Sequence, residues 1–108
     1  MKPNLLAGLA LLMAAASAAA APYPERPITM VVPYAPGGPT DIVARAVGQE
    51  LAAALGQPVL VDNRPGANES IAASLVAKAR PDGYTVLFAT DAALSLNASL
   101  YRQLPYDA

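Results

Sequence analysis

Between Tyr34 and Asp41 the chain reads YAPGGPTD, directly after the apolar run ITMVVP and directly before a segment of helical periodicity. Gly37 and Gly38 carry no Cβ, so a ligand can approach the main chain closely there. The first N–H groups of a helix have no intrahelical partner, and the helix dipole places roughly half a positive charge at that end. Such an end binds an anion without a cationic side chain. Pro39 removes one donor, while Thr40 and Asp41 supply N–H groups and Thr40 adds a hydroxyl. The pattern is neither GxGxxG nor a P-loop, since no Lys-Ser/Thr follows. The same turn is also consistent with a tight connection that holds nothing. Asp41 in a first turn stabilises a helix by about 0.3–1 kcal/mol without any ligand.

Other candidates are sparser. Arg64, in the loop RPGANES, offers an anion contact or pairs with Asp62 in solvent. Thr90 and Asp91 follow a strand and stand near a helix start, where Thr90 also serves as a cap. Tyr84 and Phe88 fit a core better than a ligand cage. The sequence has 108 residues and contains no cysteine, histidine or tryptophan. That excludes thiol and histidine-dependent nucleophilic catalysis and the usual zinc ligands. Tyr34, Asp41, Thr90 and Asp91 would be the polar groups of an enzyme, but none is a general base near neutral pH. No metal or cofactor is expected. The net charge of −1 gives no footprint for nucleic acid.

These groups need elements to hold them. Ile28 to Tyr34 is a β-branched run that predicts a strand buried on both faces. Pro39 to Leu55 predicts a helix with Val43, Val47, Leu51 and Leu55 on its buried face, widened by Ile42, Ala46 and Ala54, and stopped by Gly56. Pro58 to Asn63 predicts a second strand. Ile71, Leu75, Val76 and Ala79 mark a second helix, ending before Pro81. PDG, residues 81–83, is a turn. Tyr84 to Thr90 predicts a third buried strand, and Asp91 to Tyr101 a weak helix. Alternation of this kind gives an α/β fold: three parallel strands with helices on both faces. With the first strand central, the loops at Tyr34–Asp41 and Thr90–Ala93 leave in opposite directions and open a crevice at the strands' carboxyl ends. Three strands leave exposed sheet edges, so more chain or a partner is expected to complete the domain.

At the front of the chain, Met1-Lys2, the apolar run Leu5 to Ala16 and the small residues ASAAAA have the layout of an export signal. A leader over residues 1–20, cleaved near Ala20, is expected. A membrane anchor is the alternative, but the run is shorter than the roughly 20 apolar residues a span needs.

Four patterns occur in order: YPERPI, PGGPTD, LGQPVLVDNRPGA and PDGYT. Together they make residues Tyr23 to Asp107 resemble the start of a Bug/TctC-type extracytoplasmic solute receptor of tripartite tricarboxylate transport systems. The resemblance implies a periplasmic-binding-protein-like fold (type II) of two lobes with the ligand between them. Residues 21–108 would form the N-terminal part of the first lobe, without its return strands or the second lobe. It implies a periplasmic location, a small carboxylate or related amide or aromatic acid as ligand, membrane components of such a transporter as partners, and no catalysis. Tyr34, Ala35, Pro36, Gly37, Gly38, Thr40 and Asp41, with Thr90 and Asp91, would hold one carboxylate. A truncated, non-functional piece of such a receptor stands as the alternative. Where the family continues NRPGAGG, this chain has NRPGANES; Glu69 would repel an anion or favour a ligand carrying an amine.

Overall fold

A computed structural model describes residues 20–108 of the chain; the expected leader, apart from Ala20, lies outside them. Three strands form one parallel sheet: β1 (Ile28–Val32), β2 (Val59–Asn63) and β3 (Thr85–Leu87). Their spatial order is β2-β1-β3, so β1 is central, the arrangement on which the expected crevice rests. Ile28 pairs with Val59 and Val32 with Asn63, while Thr29 pairs with Thr85 and Val31 with Leu87. All three strands therefore end at the same rim.

Helix α1 (Pro39–Leu55) joins β1 to β2 and α2 (Ser70–Lys78) joins β2 to β3. Proline at the front of α1 suits a position whose N–H is unpaired anyway. Gly56, at φ +73, closes α1 with its N–H on the Ala52 carbonyl, a conformation that disfavours a Cβ. A 3-10 turn, Ala67–Glu69, precedes α2. The weak helix expected after Thr90 is a wide π turn, Ala92–Leu96, running into a short α3, Asn97–Leu100.

β1 is buried as predicted, with Ile28, Met30, Val31 and Val32 all inside. Met30, Val32 and Ala44 form a core cluster, backed by Tyr34, Val59, Val61, Val86 and Phe88. The flanking strands are only half-buried, since each has just one neighbour. β3 is also shorter than the predicted Tyr84 to Thr90.

Helix α1 turns a different face to the sheet from the one its periodicity indicated. Asp41, Ala44 and Gly48 are buried, whereas Ile42 is 61 % and Val43 53 % exposed and Val47, Leu51 and Leu55 each exceed a third. Ala46 and Ala54 are exposed too. Small residues let the helix axis approach the strands; a Cβ on Gly48 would already meet the Val59 Cγ1 at 3.5 Å. The large apolar side chains lie roughly a quarter turn away at 100° per residue.

At the amino ends of the strands a clasp ties the entering chain to β3. The Tyr23 hydroxyl donates to the Gly83 carbonyl at 2.6 Å, and the Glu25 N–H donates to the Tyr84 hydroxyl at 2.9 Å. The Arg26 guanidinium lies 3.9 Å over the Tyr84 ring and pairs with Asp82 at 3.2 Å. Tyr84, expected in the core, is a half-buried member of this clasp.

Candidate functional site

The residues after β1 turn at the carboxyl rim. Gly37 has φ +87, a left-handed conformation that glycine adopts without strain. Gly38 is the N-cap of α1 in extended backbone, and no side chain caps the helix. Its carbonyl accepts the Ile42 N–H at 3.0 Å. A Cβ on Gly37 would meet nothing within 4 Å, and one on Gly38 only the Ala35 carbonyl at 3.7 Å. The space in front of the helix is open, and Ala35 and Pro36 are exposed beside it.

Asp41, expected at the ligand, is held by the protein's own groups. It is 2 % exposed and faces inward. Its Oδ2 accepts the Gly37 N–H and the Arg45 Nε–H, both at 2.9 Å, and its Oδ1 accepts the Asn63 amide at 2.8 Å. The Arg45 hydrogen bond first, then the Gly37 and Asn63 donors, hold its carboxyl down at about 2, against the opposing effect of burial. Asp41 therefore braces the turn, and Gly37 contributes space rather than a free donor. Asn63 was not singled out from the sequence, yet its amide reaches both Asp41 and the Tyr34 carbonyl, at 2.9 Å. A polar side chain ending an apolar strand was the available signal.

Tyr34 and Thr90, from opposite sides of the crevice, do converge, and they converge on Glu69. The two hydroxyls donate to Glu69 Oε1 at 2.5 Å each, and the Thr90 N–H donates to Oε2 at 3.1 Å. Glu69 is 2 % exposed. The hydrogen bond to this carboxylate raises the Tyr34 phenol above its ordinary value. The Thr90 hydroxyl also accepts the Ala92 N–H at 3.2 Å, the capping use foreseen for it. Asp91 is exposed and Thr40 half-buried. The Arg64 Nε–H donates to both oxygens of Asp62, at 3.0 and 3.1 Å, the pairing that the sequence offered beside an anion contact.

Glu69 is set in place by an unusual loop. Ala67, Asn68 and Glu69 all have positive φ, at 48°, 48° and 71°. Asn68 is clasped by buried Asn97: its amide donates to Asn97 Oδ1 at 2.6 Å and its carbonyl accepts the Asn97 amide at 2.7 Å. Tyr106 closes the network, reached by the Asn97 amide at 3.2 Å and donating to the Ala93 carbonyl at 2.7 Å.

Two shallow grooves, of about 500 Å³ between α1 and β2 and about 620 Å³ on the outer side of α1, include neither the Gly37–Gly38 turn nor Glu69, although Arg45 borders the first. Among the described residues no helix is long and apolar enough to cross a membrane.

A family profile described as "Tripartite tricarboxylate transporter family receptor" matches residues 43–108. A UPF0065 protein of Bordetella pertussis is 45 % identical over 110 residues, covering 98 % of this chain and 34 % of that protein. The chain thus spans about a third of the length of that curated relative. Among solved structures, Rpa4515 of R. palustris with adipate has a TM-score of 0.74 at 42 % identity, over 80 % of this chain and 29 % of that one. MatC of Rhodopseudomonas palustris with bound malate has a TM-score of 0.58 at 51 % identity, over 60 % of this chain and 22 % of that one.

Proposed function

The chain belongs to the tripartite tricarboxylate transporter receptor family, and from that premise we propose that it forms part of the first lobe of a periplasmic receptor for a small carboxylate. The observation that carries the reading is the front of α1. It follows the central strand at the carboxyl rim, no side chain caps it, and Gly37 and Gly38 leave the approach open. Amide donors at such a helix end attract an anion through their own partial charge. The acids in the two R. palustris structures, adipate and malate, support the ligand class. In this reading Gly38 and Thr40 supply the donors, Asp41 and Asn63 hold the turn in shape, and no bond is made or broken. The membrane components of a tripartite transporter would receive the ligand.

Part of one lobe, titrated by itself, encloses less than the 70–90 % of ligand surface that tight sites bury. Malate and adipate should therefore bind the chain weakly, with roughly millimolar dissociation constants. The test is an NMR titration that follows the amides of Gly38 and Thr40. Saturable shifts with malate, absent in Gly38→Val, are expected. That variant should still fold, because Gly38 has extended backbone and room for a Cβ, and should melt only slightly lower, since valine is a poor N-cap worth a loss of about 1 kcal/mol. Malate shifts that persist undiminished in Gly38→Val would remove the front of α1 from the site.

A further inference from the structure

Glu69 brings a carboxyl group into the carboxyl rim, and among the described residues no cation pairs with it. The ion pairs among the described residues join Arg26 to Asp82, Arg45 to Asp41 and Arg64 to Asp62. What Glu69 has instead is two hydroxyls and one main-chain N–H, drawn from the ends of β1 and β3. These donors converge as an anion pocket's would, and a carboxylate already fills them. The Glu69 side chain is buried, so an acid arriving at the rim finds the Tyr34 and Thr90 donors already engaged.

We propose that Glu69 is a resident occupant of an anion subsite, which denies Tyr34 and Thr90 to any acid group of the ligand. The proposal rests on the carboxylate reading above and narrows it: the ligand's acid is taken on the α1 side alone. The part of the ligand that lies toward β3 meets a filled subsite and is neutral or a hydrogen-bond donor, not a second acid. The backbone supports a placed group rather than an incidental one. Three consecutive non-glycine residues hold left-handed conformations, which side chains disfavour and which persist only where the surroundings impose them. The Asn68–Asn97 clasp does so here, with Asn97 fully buried. The result is a carboxylate delivered to the junction of the two rim loops.

The test uses acetate as the probe and the Thr90 amide as the reporter, in the full chain at constant ionic strength with chloride as the control anion. In the wild type, and in Glu69→Gln, where an amide of the same shape fills the space, the Thr90 amide is expected to stay unmoved by acetate. In Glu69→Ala it should shift saturably, and acetate should raise the melting temperature of that variant selectively over chloride. A Thr90 amide in Glu69→Ala that ignores acetate overturns the proposal. So does one in the wild type or in Glu69→Gln that responds saturably, and these two proteins keep the test decisive even if Glu69→Ala does not fold. The amides of Gly38 and Thr40, read in the same spectra, report on the α1 side separately. Acetate shifts there without any at Thr90 in Glu69→Ala would refute the subsite and leave the carboxylate receptor standing.

Discussion

Asp41 and Glu69 are both buried carboxylates at the rim, and their partners give them opposite tasks. Asp41 has a guanidinium beside it and holds a turn; among the described residues the donors on Glu69 are neutral, and it fills a space. Because the folded protein depresses the Asp41 carboxyl to about 2, its ionised form stabilises the native state. That contribution is complete above the ordinary carboxyl range, near 4, and is lost as pH falls toward 2. Urea midpoints measured from pH 6 to pH 2 should drop across this window in the wild type. In Asp41→Asn the midpoint at pH 6 should be lower and the fall through the window shallower. Parallel curves for the two proteins would show that Asp41 does not couple folding to protonation. From the sequence, Asp41 was legible as a first-turn acid and as a member of the ligand loop, not as a brace of the turn. Its inward orientation depends on Arg45, one helical turn on, and on Asn63, which reaches it across a strand pairing.

At the scale of elements, the order and type of the strands and helices followed from β-branched runs, Gly and Pro punctuation and helical spacing. The bounds of α1 were legible at both ends because Pro39 and Gly56 are themselves the signals. The buried face of α1 was not legible. Periodicity locates a large apolar stripe, but parallel strands favour a close helix, and closeness selects Ala44 and Gly48 over Val47 and Leu51. The strained turn before α2 was equally hidden, since nothing in ANE predicts three positive φ angles. Gly48 offers a direct check of the packing. It lies mid-helix, where glycine costs about 0.5–1 kcal/mol relative to alanine. The added Cβ would sit in ordinary contact with Val59, at 3.5 Å. Gly48→Ala should therefore stabilise the chain by about 0.5–1 kcal/mol in a denaturant melt. A loss of stability would mean that α1 and β2 are already too close to admit a methyl group.

For the molecule as a whole, the exposed stripe on α1 and the outer edges of β2 and β3 are uncovered surface among the described residues. Leu60, on β2, is 54 % exposed as well. Contiguous apolar surface and unpaired strand edges promote association. Sedimentation velocity should show the chain self-associating as its concentration rises. Val43→Glu with Leu51→Glu should suppress that association while changing folding stability by about 0.5 kcal/mol per site or less, as for other exposed positions. Unaltered association in the double variant would locate the sticky surface elsewhere. The clasp of Tyr23, Arg26 and Tyr84 closes the end of the sheet remote from the rim. That remoteness makes the clasp end a natural handle. A chip linker or a dye attached through Pro22→Cys, in a sequence with no cysteine of its own, would hold the molecule by its back, with the Gly37–Gly38 opening turned toward the bulk solution.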